Sequence, residues 1–260
     1  MTRALIVPAA GLGSRLGSAG PKLLHPVAGR PMIDHLLDLY APVVDHVVVV
    51  VSPAAREQVE AHLARRGEGV AIDEQVTPTG MLDAILIPEP RLRSLQASQI
   101  WITWCDQVGI LPDTVARVKD LADMRPDAAM VMPTSTGPHP YVHLDRAGDG
   151  SITRIRHRRE GDAMPDVGES DAGLFVLSGQ AYHRELTSYA ARRETGAQTG
   201  ERNFVPFIPW MAARAPVLTV SCHDPREAVG INTPAELGLI EGWLQERRRR
   251  SQPGESVPHD

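Results

Sequence analysis

The feature that most limits the fold of this chain is the alternation of short apolar runs with helix-like segments in its first half. The runs are rich in β-branched residues and almost wholly apolar, which is typical of strands buried on both faces of a parallel sheet. The segments between them, such as 32–40 and 53–66, place apolar residues at helical spacing or end in glycine. The alternation therefore predicts a doubly wound α/β sheet, mixed but mainly parallel, with right-handed crossovers. The strands predicted in this half are 4–7, 46–51, 70–73, 100–105 and 128–132.

The second half has a different pattern. Strand-like runs at 141–144, 151–157 and 172–177 are joined by turn sequences such as "DRAGDG", which favours an antiparallel extension of the sheet. One further strand is predicted at 217–221. Helices are predicted from Ser178 to about 191, at 204–213 and at 234–248. We expect one domain over residues 1–248 and a disordered tail at 249–260, where the apolar period is lost.

The bulk composition excludes several classes of protein. The formal net charge of −5 argues against a nucleic-acid-binding role, because phosphate backbones require a basic face. Cys105 and Cys222 are too few for a disulfide framework, so we expect reduced, buried thiols in a cytoplasmic protein. No stretch has the apolar length of a membrane span or the pattern of a secretory signal. His139 and His143 lack a second cluster that would complete a zinc site.

The glycine-rich stretch "IVPAAGLGSRLGSAGPK" follows the first predicted strand, where absent side chains let backbone N–H groups approach a phosphate. Its spacing does not fit a dinucleotide fingerprint, because Leu16 stands where the third glycine after Gly11 and Gly13 belongs. It does not fit a Walker A loop either, since Lys22 follows Pro21 rather than glycine. What remains is a strand, then A-A-G-x-G-S-R, a spacer and P-K.

This composite motif resembles the loop of the nucleotidyltransferase superfamily, which makes nucleoside-diphosphate sugars and related activated alcohols. The resemblance implies a Rossmann-like sheet of the nucleotide-diphospho-sugar transferase (GT-A-like) type. Residues 1–133 would then be a nucleotide-binding half and 134–248 an acceptor-binding half. It also implies that Arg15 and Lys22 neutralise the triphosphate as catalytic residues. The loop residues that would wrap the phosphates are Ala9, Ala10, Gly11, Gly13 and Ser14.

Two further segments carry the resemblance on the nucleotide side. "EQVTPTGMLDAI" is similar to the family's pyrimidine-binding segment, which implies that Gln75 and Gly80 contact the base edge and that Thr79 is a further nucleotide-binding residue. "IWITWCDQVGI" and "VGINTPAEL" are similar to its two metal motifs, which implies that Asp106 and Asn232 hold Mg²⁺. Simpler interpretations stay open: Gln75 as a polar residue at a strand end, Asp106 as a helix cap, and "NTPAEL" as a helix start.

The acceptor side resembles N-acetylglucosamine-1-phosphate uridylyltransferases but departs from them. "ESDAGLFVLSG" stands in place of their Asn-Thr-Gly strand, which implies that Asp171 and Gly173 contact the acceptor. "QTGERNFVPFIPWM" keeps Glu201 as an acceptor-binding residue but has Pro206 where they have aspartate, and their sugar-contacting glutamate falls at His157. These departures put N-acetylglucosamine 1-phosphate itself in doubt.

The resemblance thus predicts a magnesium-dependent enzyme that joins UTP, or another pyrimidine triphosphate, to a sugar 1-phosphate and releases pyrophosphate. Its partners would be a nucleoside triphosphate and a phosphorylated small molecule, with no nucleic acid and no membrane. One alternative is a CTP-dependent cytidylyltransferase that acts on a polyol phosphate, a phosphonate or phosphocholine. The other is a sensor that binds a nucleotide sugar without turnover.

Overall fold

The computed structural model describes residues 1–11, 16, 20–67 and 69–251, with only the backbone of Arg250 and Ser251. The strands within these ranges are β1 (Arg3–Ala9), β2 (Pro26–Val27), β3 (Arg30–Pro31), β4 (His46–Val51), β5 (Ala71–Glu74), β6 (Gln99–Thr103), β7 (Met130–Pro138), β8 (Val142–Arg146), β9 (Ile152–His157), β10 (Val167–Asp171), β11 (Leu174–Ser178) and β12 (Val217–Ser221). The α-helices within them are α1 (Met32–Tyr40), α2 (Pro53–Arg66), α3 (Met81–Leu86), α4 (Glu89–Ser94), α5 (Pro112–Met124), α6 (Thr187–Ala190), α7 (Phe207–Ala212) and α8 (Pro234–Ser251).

Eight strands form the central sheet, in the order β10-β7-β11-β6-β1-β4-β5, with β12 also paired to β7. Strand β1 pairs in parallel with β4 and β6, and β4 pairs in parallel with β5. Strand β11 runs antiparallel to β6 and β7, and β10 runs antiparallel to β7. Strands β8 and β9 form a separate antiparallel hairpin. The predicted mixed, mainly parallel α/β sheet with an antiparallel extension is confirmed.

Both faces of the sheet are covered by apolar side chains. On one face Leu5 and Val7 of β1 belong to a buried cluster that includes Trp101, while on the other Ile6 belongs to a cluster that includes Phe175. Successive residues of β1 thus enter opposite cores, which is the consequence of period-2 side chains in a doubly covered sheet. This explains why the central strands are apolar at nearly every position.

Several predicted elements agree with the structure to the residue, among them β4, α2 and β12. Helix α2 ends at Gly67, whose φ of 72° is the left-handed conformation that a closing glycine favours. The predicted end of the last helix at Arg248 is wrong, because α8 continues to Ser251. Arginine is a good helix former, so a helix continues through an Arg run without an apolar period. The rest of the predicted tail, residues 252–260, lies outside the described residues.

The parallel strands bring three chain segments to one edge of the sheet. Ala10 and Gly11 directly follow β1, Gln75 directly follows β5, and Asp106 lies three residues beyond β6. Carboxyl ends of parallel strands meet at the same edge, and ligands of open α/β sheets bind there. The fold therefore collects the predicted nucleotide-side residues from distant parts of the sequence.

Candidate functional site

A large cavity of about 1240 Å³ opens at this edge of the sheet. Thr79 lies outside its lining, although its neighbours Pro78 and Gly80 belong to it. Gly13, Ser14 and Arg15 lie outside the described residues. The predicted site residues that line the cavity are Ala9, Ala10, Gly11, Lys22, Gln75, Gly80, Asp106, Asp171, Gly173, Glu201 and Asn232.

Lys22 joins the two predicted metal ligands. Its ammonium nitrogen donates to Oδ2 of Asp106 and, over 2.8 Å, to Oδ1 of Asn232. The side chains of Lys22 and Asp106 are mostly buried, so solvent screens their attraction less than at the surface. Two oxygens from positions 106 and 232 therefore converge on one cationic group.

The loop that carries Asn232 also begins helix α8. The N–H groups of Asn232 and Thr233 each donate over 2.8 Å to the Glu236 carboxylate, and the Thr233 hydroxyl accepts from the Glu236 N–H over 3.3 Å. This reciprocal pattern is a capping box. The interpretation of "NTPAEL" as a helix start is correct, and it leaves the Asn232 side chain directed at Lys22.

The buried carboxylate of Glu227 holds the start of the loop that carries Asn232. Glu227 is fully buried and accepts from the backbone N–H groups of Leu111 and His223 over 3.0 and 2.8 Å. Gln107 donates to the Glu227 carbonyl over 2.6 Å, and a Cβ at Gly230 would lie 3.2 Å from the Gln107 amide oxygen. Gln107 and Glu227 are site-supporting residues that the sequence did not reveal, since an isolated Gln or Glu carries no motif.

On the base side, Gln75 is buried and donates through Nε2 to the Gly80 carbonyl over 2.9 Å. Gly80 has φ of 126° and ψ of 175°, a combination that is essentially restricted to glycine. A Cβ here would also overlap the backbone of Arg202, whose carbonyl oxygen would lie 2.6 Å away. Thr79 accepts from the Arg202 N–H over 2.8 Å through its own carbonyl. The predicted pair Gln75 and Gly80 are therefore bonded to each other.

On the acceptor side, Asp171 is buried and accepts the Gly173 N–H over 2.9 Å. Burial raises the pKa of Asp171 to about 6. Gly173 has φ of 71°, and a Cβ there would lie 2.6 Å from Cδ1 of Trp104, so the indole ring packs directly on this turn. Trp104 is a cavity-lining residue that the sequence analysis missed, because it reads as one more apolar strand residue.

Glu201 lines the same cavity, with its carboxylate 3.1 Å from the Arg159 guanidinium. His157 also lines the cavity, with its ring 5.2 Å from that of Tyr141. Burial lowers the pKa of His157, and its buried Nδ1 has no hydrogen-bond partner among the described residues. The residues predicted to bind the acceptor, with their neighbours, thus offer one buried carboxylate, one neutral imidazole and one solvent-exposed ion pair.

The family comparison agrees with this geometry. Residues 5–171 match the model of the MobA-like NTP transferase domain, which is well over half of the chain. The chain belongs to this family. Its place in the nucleotidyltransferase superfamily, which the glycine loop and the P-K motif implied, is confirmed.

Curated relatives of this MobA-like chain include the bifunctional protein GlmU of Burkholderia mallei, which is 30% identical over 244 residues. The bifunctional protein GlmU of Chromohalobacter salexigens is 28% identical over 250 residues. These alignments cover 91% and 95% of this chain but only 51% and 53% of the relatives. The chain spans about half the length of the curated relatives it matches.

Among solved structures, a Bacillus anthracis protein described as a glucose-1-phosphate thymidylyltransferase, crystallised with sucrose, superposes with a TM-score of 0.74. The alignment covers 94% of this chain and 96% of that one at 15% identity. At this identity the likeness establishes the shared fold.

Three further observations on the MobA-like domain concern membrane-spanning helices, the two cysteine thiols and metal-binding clusters. The described helices include none long and apolar enough to cross a membrane. Cys105 and Cys222 are free thiols of intermediate exposure, so they are partly buried rather than fully buried as predicted; each follows its strand rather than lying within it. Within the described ranges, no three His, Cys, Asp or Glu side chains group into a metal cluster.

Proposed function

We propose that this protein is a nucleotidyltransferase that joins a pyrimidine nucleoside triphosphate to a sugar 1-phosphate. The observation that carries the proposal is that two chemically distinct sets of residues line one cavity. The first set is the backbone after β1 with Lys22, Asp106 and Asn232, and the second is Asp171 and Glu201. A cavity of this size accommodates a nucleotide and a second small molecule together. We further propose residues 1–133 as the nucleotide-binding half and 134–248 as the acceptor-binding half, in a protein that works in the cytoplasm.

The chemistry requires no protein nucleophile. An oxygen of the acceptor phosphate attacks the α-phosphorus in line, the bond from that phosphorus to the α,β-bridging oxygen breaks, and pyrophosphate leaves with the bonding electrons. Because both reactants are anions, the barrier is set by alignment and by charge repulsion. In this proposal Lys22 would neutralise charge on the α-phosphoryl group, and the amides of Ala10 and Gly11 would add fixed dipoles. The role of Arg15 at the departing pyrophosphate rests on the family resemblance.

The donor set at positions 106 and 232 fits Mg²⁺. One carboxylate and one amide oxygen converge on a single cationic group, Lys22, and hard cations prefer such oxygen ligands, with substrate phosphates completing the shell. Bound there, Mg²⁺ would supply Lewis-acid charge neutralisation to the phosphate oxygens. Asp106 and Asn232 would hold it, and Lys22 would then bind phosphate instead of these two side chains.

We infer a preference for pyrimidines from Gln75 and Gly80. Since Gln75 Nε2 is already bonded to the Gly80 carbonyl, Oε1 would be the amide atom that accepts a hydrogen bond from the base. Uracil N3–H and the cytosine amino group are both donors that suit it, and the family resemblance places the Gly80 backbone close to the base edge, which suits a pyrimidine better than a larger purine. A site built on hydrogen bonds to a base edge discriminates by up to ~10⁴-fold. We therefore expect UTP and CTP over ATP and GTP, with UTP ahead.

The test is a pyrophosphate-release matrix of the four triphosphates against sugar 1-phosphates, polyol phosphates, phosphonates and phosphocholine, with Mg²⁺. We expect turnover of a pyrimidine triphosphate with a sugar 1-phosphate, and a loss of at least ~10²-fold in kcat for Lys22→Ala. The chain's other lysine offers a control: Lys119 pairs with Asp123 on helix α5, and Lys119→Ala should keep full activity. If pyrophosphate were released only with CTP and a polyol phosphate, a phosphonate or phosphocholine, that acceptor would take the place of the sugar 1-phosphate in the proposal. Equal activity of both lysine variants would contradict it.

A further inference from the structure

One carboxylate outside the cavity lining organises a segment that contacts the Thr79–Gly80 turn and carries Glu201, two parts of the candidate site. Glu160, in the short 3-10 helix after β9, accepts four hydrogen bonds. The donors are Gln198 N–H over 2.9 Å, Thr199 N–H over 3.4 Å, Thr199 Oγ1 over 2.6 Å and Asn203 Nδ2 over 2.9 Å. Burial alone would raise the pKa of Glu160, but these bonds lower it to about 2, so the group stays ionised at neutral pH.

The segment held by Glu160 is residues 196–203, which we call the strap. Its turn is closed by Gly196 N–H to the Glu201 carbonyl over 2.8 Å and by Gly200 N–H to the Gly196 carbonyl over 2.9 Å. A Cβ at Gly196 would lie 2.6 Å from Oε2 of Glu160, so the carboxylate fills the space inside the turn. The strap is therefore shaped around Glu160.

The C-terminal part of the strap binds the base-side segment. The Arg202 N–H donates to the Thr79 carbonyl over 2.8 Å, and the Leu82 N–H donates to the Arg202 carbonyl over 2.9 Å. The Arg202 guanidinium bonds Asp83 and the Ala190 carbonyl. Together with the close approach of Gly80 to this backbone, these bonds fix the Thr79–Gly80 turn against the strap.

The middle of the strap reaches the acceptor end, where Glu201 pairs with Arg159, the residue directly before Glu160. Asn203 lines the cavity as well. We propose that Glu160 is a positioning residue that sets the base-side turn and the acceptor-side ion pair together through the strap. The assignment of these ends to the two substrates rests on the proposed function, whereas the coupling between them is a property of the ligand-free protein.

The deciding experiment is hydrogen exchange of the ligand-free protein with Glu160→Gln, which keeps the volume and removes the charge. Hydrogen bonds to charged groups are the strong ones, so we expect exchange of the strap amides and of the Leu82 amide to rise by ~10-fold or more. Glu57→Gln is the matched control, because Glu57 is exposed on α2 and the same charge change should leave these amides unaffected. An unchanged Leu82 amide in Glu160→Gln would overturn the coupling. A uniform rise that includes core amides such as Val49 would also overturn it, since that marks general destabilisation.

If Glu160→Gln does not fold, Thr199→Val serves instead, because it removes only the two hydrogen bonds of Oγ1, the one donated to Glu160 and the one accepted from the Glu201 N–H. The same amides should respond, to a smaller degree. Steady-state kinetics then test the positioning role, with the triphosphate and the acceptor that give turnover in the pyrophosphate-release assay. We expect KM for both substrates to rise by ~10-fold, with kcat within ~3-fold of the wild type, because Glu160 does not touch the reacting atoms. A kcat collapse at unchanged KM would contradict positioning. If the wild type turned over no pair while the exchange pattern held, the proposed function would fail and the coupling would stand.

Discussion

Gly80→Ala tests the contact between the base-side turn and the strap most simply. Two separate penalties meet at this position. The backbone at φ of 126° and ψ of 175° lies in a region that is essentially closed to side-chain-bearing residues. The added methyl group would also overlap the Arg202 backbone, which cannot move freely because Thr79 and Leu82 both bond it.

The magnitude follows from the two penalties. Forcing a residue with a Cβ into this backbone region costs about 1–3 kcal/mol. Overpacking against fixed backbone costs about 1–3 kcal/mol more. We therefore expect Gly80→Ala to lower the free energy of unfolding by about 4 kcal/mol, and to weaken nucleotide binding because the Gln75 partner is displaced.

Gly67→Ala is the matched control. Gly67 also has a positive φ, of 72°, but a Cβ there would meet nothing within 4 Å, so only a conformational cost of about 1 kcal/mol applies. The assay is urea unfolding of both variants, with KM for the triphosphate measured in parallel. Equal losses of unfolding free energy in the two variants would refute the steric argument. An unchanged KM in Gly80→Ala would separate Gly80 from the base site.

Three further predictions concern charged and nucleophilic groups. Burial raises the pKa of Asp171 from 3.8 to about 6, so the folded state holds its proton more tightly than the unfolded state and loses stability as pH rises from about 4 to 6. In urea unfolding, Asp171→Asn should raise the free energy of unfolding by up to about 3 kcal/mol at pH 7.5 and by only about 1 kcal/mol at pH 4.5. An equal rise at both pH values would contradict the raised pKa of Asp171 as its cause. Asp106→Asn should lower magnesium-dependent pyrophosphate release by ~10²-fold or more at nearly unchanged Tm; full activity would remove Asp106 from the metal site. Burial raises the pKa of Cys105 and Cys222 to about 12, so a thiol-reactive chromophore at pH 8 should label both at least ~10-fold more slowly than in the urea-unfolded chain, and equal rates would contradict this.

The sequence predicted the parts of the fold that depend on local apolar pattern. Strands buried on both faces are apolar at nearly every position, so β4 and β1 stand out in the sequence. Strand β10 does not, because "VGESD" lies mostly exposed or half-buried and pairs only with β7 within the sheet. Helix α4 was missed because "EPRLRS" is six residues long and buries only Leu92. Short, weakly buried elements carry too little periodicity to detect.

The candidate site likewise contains residues that a local sequence pattern reveals and contacts that it does not. Residues that follow a strand in a motif, such as Asp106 and Gln75, could be predicted, because strand ends and glycine loops are visible in the sequence. The bonds between distant segments could not: Lys22 contacts positions 84 and 210 residues away, and Gly80 meets Arg202. Glu160 likewise lies in an Arg-rich run that suggests only a solvated surface. Such contacts depend on tertiary packing, which no local pattern encodes.

The central claim is that the α-phosphorus of a nucleoside triphosphate is transferred to the phosphate of an acceptor. It is tested most directly by ³¹P NMR of a reaction containing UTP, Mg²⁺ and a sugar 1-phosphate that gives turnover in the release assay. The account predicts two coupled doublets of a new pyrophosphate diester, together with free pyrophosphate in equal amount, and neither signal with Lys22→Ala over the same time. Release of inorganic phosphate and UDP instead would mean attack at the γ-phosphorus, and would contradict the account.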